Sequence, residues 1–285
     1  MATPLPASPL PTIIILAVAL PFLIIGLLPI LCFGGWSVWR YVWAEREFQA
    51  AWKARARVRS LGMKNGLSEI HPELQAMAKM SPKFSFNRKN LWLVNLLIAL
   101  MPAPKAPDIS IENIFIPGQE DRTKIRLRIY KPKSIASPTP VLIWLHGGGY
   151  VMGKPEMDDR RCIDYVRQLG VAVVSVDYRC APRHPFPAGL DDCASAWQWV
   201  GANSEQLGVD AKRMAVGGES AGGGLTAALT QLAQDRLEIR PMFQLLVYPM
   251  LDDRTALRTD IDDSRNITWD QKSNRFGWES YLGKP

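Results

Sequence analysis

The sequence predicts an α/β protein, with a mostly parallel sheet that has helices on both sides and is incomplete at its C-terminal end. Apolar strand-like runs alternate with helix-like segments from about residue 105 onward. A Gly-x-Ser-x-Gly run lies between one predicted strand and the next predicted helix. An uncharged N-terminal stretch precedes both. We therefore divide the chain into a transmembrane helix at 12–34, a basic juxtamembrane helix and cap region at 35–104, and an α/β core at 105–285.

The N-terminal stretch at 12–33 has 22 residues and no charged side chain, which is long enough to span a bilayer as a helix. Trp36, Trp39 and Trp43 follow on one helix face, as in an interfacial aromatic belt. A cleaved signal peptide would have a basic start and a shorter apolar run, and a buried soluble helix is the other alternative. The prediction is a single-pass membrane protein, with the endoplasmic reticulum as one location and membrane lipid as a partner.

The basic charge is confined to one segment. Residues 36–90 carry eleven Lys or Arg and four Asp or Glu, which accounts for the whole net charge of +7. A nucleic-acid-binding protein more often spreads basic groups over a folded face, so no nucleic-acid partner is predicted. The basic residues place the core in the cytoplasm by the positive-inside rule, whereas the sequon at Asn266 would require a lumen, so the orientation stays open. The apolar run 91–101 is too short to span and predicts a core or cap helix; an interfacial membrane contact is the rarer alternative.

The four cysteines form no Cys-x-x-Cys pair, which favours buried free thiols over a disulfide framework. They are Cys32, Cys162, Cys180 and Cys193. The sequence contains no metal-ligand cluster, and its glycine-rich run at 217–224 lacks the Lys-Ser/Thr of a nucleotide-binding loop. We predict no metal and no cofactor.

The core is predicted element by element. A hairpin, four buried strands and three helices follow from periodicity and from glycine or proline boundaries. The hairpin strands are 111–116 and 124–130; the buried strands are 141–146, 171–178, 213–220 and 243–248; the helices are 158–169, 190–199 and 225–233.

The first loop that carries chemistry is Gly218-Glu219-Ser220-Ala221-Gly222. A strand precedes it and a helix follows, which is the context a Gly-x-Ser-x-Gly motif needs. Glycines at both ends permit a sharp reversal in which the serine adopts a strained conformation and neighbouring chain packs close. This arrangement predicts Ser220 as a nucleophile, exposed at a helix N-terminus.

The second loop is His146-Gly147-Gly148-Gly149, directly after the strand at 141–146. Glycines allow successive backbone N–H groups to point at one spot. We predict an oxyanion hole formed by the N–H groups of Gly147, Gly148 and Ala221. His146 is predicted to hold the shape of the loop.

These two loops together resemble those of the hormone-sensitive-lipase family of carboxylesterases. The segments Asp177–Ala188 and Tyr248–Asp253 are also similar to family segments, with Arg183 where the family usually has an acid. The resemblance covers residues from about 105 to the end. It implies an α/β-hydrolase fold and an acyl-enzyme mechanism on small-molecule esters. An anchored N-terminus joined to such a core is similar to arylacetamide deacetylases and sterol-ester hydrolases, which implies lipophilic esters.

A serine hydrolase of this fold needs an acid and a histidine base after the serine. His71, His146 and His184 all precede Ser220, so the sequence predicts that the chain stops before the base and before the last strands. Asp252 and Asp253 are interpreted as structural loop residues. Two alternatives to an active esterase follow: a non-catalytic ligand-binding pseudo-hydrolase and an inactive truncation product. The oligomeric state is not predicted.

Overall fold

The computed structural model describes residues 71–75, 84–120, 123–134, 138–263, 266 and 268–283. The chain divides into two units, Met1–Phe84 with Asp262–Asp270, and Ser85–Ile261 with Gln271–Pro285. In the first unit the described residues include one helical turn at 72–75. The second unit contains the sheet and both loops that the sequence singles out. The boundaries predicted at 12–34, 35–104 and 105–285 stay predictions.

The second unit is built on a six-stranded sheet with the order β1-β2-β4-β3-β5-β6. The strands are β1 (Ile109–Pro117), β2 (Lys124–Pro132), β3 (Thr139–Leu145), β4 (Ala172–Asp177), β5 (Val209–Glu219) and β6 (Phe243–Val247). The β1–β2 hairpin is antiparallel, as predicted, and β2 also pairs antiparallel with β4. Strands β4, β3, β5 and β6 are parallel to their neighbours. The prediction of a mostly parallel α/β sheet is therefore confirmed.

Six α-helices are described in this unit. They are α1 (Leu91–Ala99), α2 (Asp159–Leu169), α3 (Ala188–Ala202), α4 (Ser204–Leu207), α5 (Ala221–Arg236) and α6 (Gln271–Tyr281). Short 3₁₀ turns at Pro155–Asp158 and Asp253–Leu257 precede α2 and follow β6. The predicted helices correspond to α2, α3 and α5, and the apolar run at 91–101 contains α1. The sequence did not predict α4 or α6.

Two hydrophobic clusters cover opposite faces of the sheet. Alternate residues of a strand point to opposite faces, and β3 follows this rule: Ile143 and Leu145 belong to one cluster, and Leu142 and Trp144 to the other. The first cluster includes buried residues of α3 and α5. The second includes those of α2. Helices on both faces explain why the central strands are continuous apolar runs.

The hairpin strand β2 also carries a buried ion pair. The Arg128 guanidinium donates to both carboxylate oxygens of Asp159, at 2.7 and 2.9 Å, and the Tyr130 hydroxyl donates to one of them at 2.6 Å. Arg128 is 7% exposed and Asp159 is 2% exposed. This group connects the antiparallel edge of the sheet to the first turn of α2.

Helix α1 buries one side only. Val94 and Ile98 are buried, whereas Trp92, Leu96 and Leu100 are exposed. Just before the helix, the Phe86 N–H donates to the Ser273 hydroxyl in α6 at 2.9 Å. The run at 91–101 therefore contains a short surface helix, and the segment just before it is hydrogen-bonded to α6.

The predicted single-pass membrane location is wrong by the structural finding. Within the described ranges, no helix combines the length and the apolar content needed to cross a bilayer. The run at 12–34, on which the location, the transmembrane helix and the lipid partner rested, lies outside those ranges. The expectation of free thiols holds for Cys162, Cys180 and Cys193, which form no disulfide, while Cys32 also lies outside the described residues.

Candidate active site

Ser220 occupies the turn between β5 and α5. Its backbone has φ 53° and ψ −119°, a conformation that residues with a side chain rarely adopt. Its N–H donates to the Val247 carbonyl of β6 at 2.9 Å, and its carbonyl accepts from the Met250 N–H at 2.9 Å. Two hydrogen bonds from the neighbouring strand and its loop thus fix the strained serine, and its side chain stands at the N-terminus of α5.

Three consecutive glycines in the first turn of α5 allow other chain segments to come close. A Cβ on Gly222 would overlap the carbonyl oxygens of Leu145 and His146 at the end of β3. A Cβ on Gly223 would lie 2.9 Å from the Cβ of Pro249. A Cβ on Gly224 would overlap the Tyr150 hydroxyl and the Met250 carbonyl. The start of α5 is therefore packed so closely against the loops after β3 and β6 that no side chain fits between them.

The glycine loop that follows β3 turns directly beside Ser220's strand. A Cβ on Gly147 would lie 3.3 Å from Cγ of Glu219, the residue before the serine. Gly148 has φ 125° and Gly149 has φ 59°, values that favour glycine. The Gly148 carbonyl accepts hydrogen bonds from the N–H groups of Val151 and Met152 at 3.0 and 3.1 Å. The chain therefore folds back into a tight turn immediately after the three glycines.

His146 is fully buried at the start of this loop. Its Nδ1 lies 2.8 Å from the Gly147 carbonyl oxygen, and its ring stacks on Tyr178 with 4.2 Å between centroids. The Tyr178 hydroxyl donates to the His146 carbonyl at 2.6 Å. Burial lowers the pKa of His146, which keeps the imidazole neutral. These contacts attach the loop to β4 and engage the imidazole with the loop's own backbone.

Charged groups surround the residue before the serine. Glu219 pairs with Arg161 of α2 and accepts a hydrogen bond from the Tyr248 hydroxyl at 2.5 Å. Nearby, the Trp144 indole donates to Asp158 at 2.7 Å. Burial, assisted by the negative charge of Glu219, raises the pKa of Asp158 to about 7. No sequence pattern indicates this cluster, because the packing of α2 on the sheet brings its members together.

The loops after β3, β4, β5 and β6 meet at one end of the sheet. The Ala181 N–H donates to the Tyr150 carbonyl at 2.9 Å, which joins the loop after β4 to the glycine loop. Met250 joins the loop after β6 to Ser220. Clefts outside the carboxyl ends of parallel strands are where α/β proteins bind ligands. The Ser220 hydroxyl, the glycine loop and the N-terminus of α5 therefore lie together at the carboxyl ends of the parallel strands.

Asp252 and His184, which the sequence offers for the acid and the base, make hydrogen bonds within their own loops. Asp252 accepts hydrogen bonds from the backbone and guanidinium of Arg254, and these bonds lower its pKa. The N–H of His184 donates to the Cys180 carbonyl, within the loop after β4. Asp252 therefore starts the 3₁₀ turn at Asp253–Leu257 and is engaged with its own neighbour.

Comparison with known proteins gives a consistent result. A family described as alpha/beta hydrolase fold matches residues 142–285. The chain is 41% identical over 148 residues to carboxylesterase NlhH of Mycobacterium tuberculosis, covering 52% of this chain and 46% of that protein. It is 40% identical over 135 residues to an ethyl acetate hydrolase of Pseudomonas putida, covering 46% of this chain and 42% of that one. The chain spans about half the length of the curated relatives it matches.

Solved structures extend the similarity over more of the chain. A bacterial heroin esterase is 35% identical with a TM-score of 0.70, covering 77% of this chain and 70% of that one. Esterase LipW of Mycobacterium marinum is 32% identical with a TM-score of 0.64, covering 76% of this chain and 69% of that one.

Proposed function

Because this chain belongs to the alpha/beta hydrolase fold family, we propose that it hydrolyses carboxylic esters through an acyl-enzyme on Ser220. The proposal rests above all on the strained backbone of Ser220, which has φ 53° in the turn between β5 and α5. The end of β3 packs against the start of α5 at Gly222. Such strain persists only where surrounding structure enforces it, and it is concentrated at functional sites. The esterase relatives make ester hydrolysis the reaction of choice. Residues 105–285 are proposed as the hydrolase core and 35–104 as the cap region.

In the proposed mechanism, the Ser220 hydroxyl attacks the ester carbonyl carbon. The carbonyl oxygen becomes an oxyanion, and the N–H groups of Gly147, Gly148 and Ala221 receive it. Ala221 is the first residue of α5, where the helix dipole favours negative charge. The carbon–oxygen bond to the alcohol then breaks, and the leaving alcohol carries away the proton that the Ser220 hydroxyl has lost. Water hydrolyses the acyl-serine, which releases the acid and restores the Ser220 hydroxyl. His146, Gly149, Gly218 and Gly222 shape the two loops without touching the reacting atoms.

The substrate class is proposed as small-molecule esters. Ester substrates follow from the relatives, one of which is named for ethyl acetate. No residue is assigned as the base, since all three histidines precede Ser220 and His146 is engaged with Gly147.

Labelling of the serine tests the proposal. The purified full chain is treated with a fluorophosphonate probe, and the modified peptide is identified by mass spectrometry. We expect a phosphonyl adduct on Ser220, abolished in Ser220→Ala and retained in Ser195→Ala, whose hydroxyl bonds within α3. Hydrolysis of p-nitrophenyl acetate, butyrate and octanoate then measures turnover and chain-length preference. No adduct on Ser220 would refute the nucleophile assignment.

A second candidate function is ligand binding without hydrolysis. The observation in its favour is the engagement of His146 with Gly147 in a chain whose histidines all precede the serine. Calorimetry, combined with the ester turnover measurement, separates the two functions. A ligand-binding protein would bind a non-hydrolysable ester analogue in calorimetry, and Ser220→Ala would bind it with the same affinity. Neither protein would hydrolyse p-nitrophenyl esters.

A further inference from the structure

The glycine loop and the serine turn are joined by one side chain, Tyr150. This residue directly follows Gly149 and is 4% exposed. Its hydroxyl donates to the Met250 carbonyl at 2.8 Å, and the Met250 N–H donates to the Ser220 carbonyl at 2.9 Å. A continuous path of two hydrogen bonds therefore leads from the end of the glycine loop to the backbone of the proposed nucleophile.

Several independent contacts hold Tyr150 in place. Its backbone has φ 65°, which is unusual for a residue with a side chain and requires surrounding support. Its carbonyl accepts from the Ala181 N–H at 2.9 Å. Its ring stacks on Tyr281 of α6, with centroids 4.0 Å apart, and lies 5.1 Å from the Trp278 ring. Gly224 has no side chain where the Tyr150 hydroxyl lies.

The glycine loop needs such an anchor. Three successive glycines have wide conformational freedom, and a loop that binds an oxyanion must have its N–H groups fixed before the reaction. His146 anchors the loop at its start through the Tyr178 stack and the hydrogen bond from the Tyr178 hydroxyl. Tyr150 anchors it at its end, and only this end is connected to Ser220 through Met250.

We propose that Tyr150 is a positioning residue, whose hydroxyl sets the distance between the glycine loop and Ser220 through Met250. This inference rests on the proposed ester hydrolysis for its kinetic consequence, but the hydrogen-bond path exists independently of activity. Tyr150 acts through Met250 and the loop backbone and does not itself contact substrate. Removal of the hydroxyl leaves the partly buried Met250 carbonyl without this donor and releases the loop end from the serine turn.

The test compares Tyr150→Phe with Tyr281→Phe in the full chain. Both substitutions remove one hydroxyl from the same aromatic cluster and keep its rings, but only the first removes the bond to Met250. For Tyr150→Phe we expect kcat for p-nitrophenyl butyrate to fall by about 10- to 100-fold, because a misplaced oxyanion donor costs that much. KM should change less than about threefold, since ground-state binding is retained. Tyr281→Phe should keep kcat within about twofold.

Amide hydrogen exchange gives a readout that needs no turnover. The N–H groups of Val151, Met152 and Met250 are hydrogen-bonded in this region. In Tyr150→Phe we expect their exchange to accelerate by about tenfold, while amides inside α3 keep the rate of the unsubstituted protein. In Tyr281→Phe all of these rates should stay unchanged.

The outcomes separate the two proposals. Faster local exchange without any ester turnover in the unsubstituted chain would uphold the positioning path and refute the esterase. Turnover with unchanged kcat and unchanged exchange in Tyr150→Phe would uphold the esterase and overturn the role of Tyr150. A third outcome would also overturn the proposal. In it, amide exchange in Tyr150→Phe rises equally over α3 and the loops, and kcat falls only as much as the fraction of protein that a fluorophosphonate labels. Tyr150 would then contribute to general stability alone.

Discussion

The Trp144 indole nitrogen lies 2.7 Å from a carboxylate oxygen of Asp158, and both side chains are buried. Trp144 is on β3, and Asp158 is the last residue of the 3₁₀ turn before α2. The indole can satisfy only one of the two carboxyl oxygens, while Glu219 and Asp159 add negative charge and Arg161 adds positive charge nearby. Burial is the largest influence, and it favours the neutral acid.

This pair predicts an unusual pH dependence of stability. The pKa of Asp158 is raised from its ordinary value of 3.8 to about 7 in the folded protein, so between these two pH values the folded state binds a proton that the unfolded chain has released. The stability from Asp158 is present in full below the unfolded pKa and is lost as the pH rises toward about 7. Asp158→Asn resembles the protonated form and should escape this loss. Its unfolding free energy should improve relative to the unsubstituted protein by about 2–4 kcal/mol between about pH 4 and pH 8.

Urea denaturation at a series of pH values measures this difference. Asp235→Asn, at an exposed position near the end of α5, is the matched control and should follow the unsubstituted protein. Parallel stability curves for Asp158→Asn and the unsubstituted chain would contradict the prediction.

Gly222 should not tolerate even one added methyl group. A Cβ there would meet two backbone carbonyl oxygens, which cannot move without shifting β3. We expect Gly222→Ala to lower the unfolding free energy by about 3 kcal/mol, although alanine favours a helix by about 1 kcal/mol over glycine. Gly201→Ala in α3 is the control, because its new Cβ would meet mainly the flexible end of Ile239. The idea fails if both substitutions cost the same in chemical denaturation.

Ser220 should be more stable as glycine than as alanine. At φ 53° and ψ −119°, a Cβ is strained, and its removal should favour Ser220→Gly over Ser220→Ala by about 1–2 kcal/mol. Ser195 in the middle of α3 should show the opposite order, with alanine favoured by about 1 kcal/mol. Thermal unfolding of the four variants tests the reversal of sign; the same order at both sites would refute the strain.

The buried ion pair of Arg128 and Asp159 should be sensitive to loss of one charge. Asp159→Asn leaves the buried Arg128 guanidinium with Glu156, 4.0 Å away, in place of its bidentate partner, and we expect a loss of about 3–5 kcal/mol. Glu279→Gln breaks the exposed Arg275 pair on α6 and should change stability by less than about 0.5 kcal/mol. Urea unfolding of both variants at neutral pH compares them; similar losses would show that burial does not amplify the pair.

The sequence predicts the parallel part of the fold well, because it is governed by local patterns. The run at 141–146 is β3 and the run at 171–178 contains β4, since strands buried on both faces must be continuously apolar. Ser220 lies between strand and helix as its glycines indicate. The resemblance to hormone-sensitive-lipase-like carboxylesterases, which the two glycine motifs indicate, is confirmed by the family match and by the esterase relatives.

The features missed by the sequence depend on distant packing. Arg128 alternates with apolar residues in β2, a pattern that indicates a side chain facing solvent. It is nevertheless buried, because it pairs with Asp159, 31 residues away in the chain. The pairing of Arg161 with Glu219 spans 58 residues and requires α2 to lie across the sheet. Helix α6 is mostly polar, and its aromatic side chains find their packing partners in distant residues, Tyr150 and Phe186. No local periodicity carries such information.

The Tyr150–Met250 bond has a consequence for the order in which the protein folds. It joins residues 100 positions apart in the chain, and a contact of such high separation forms late because closing a long loop costs entropy. Every parallel strand after β3 is synthesised between the glycine loop and Met250. During translation, Ser220 therefore emerges before its partner loop can be locked to it. Nascent and partly folded chains would therefore carry Ser220 without the two loops packed around it.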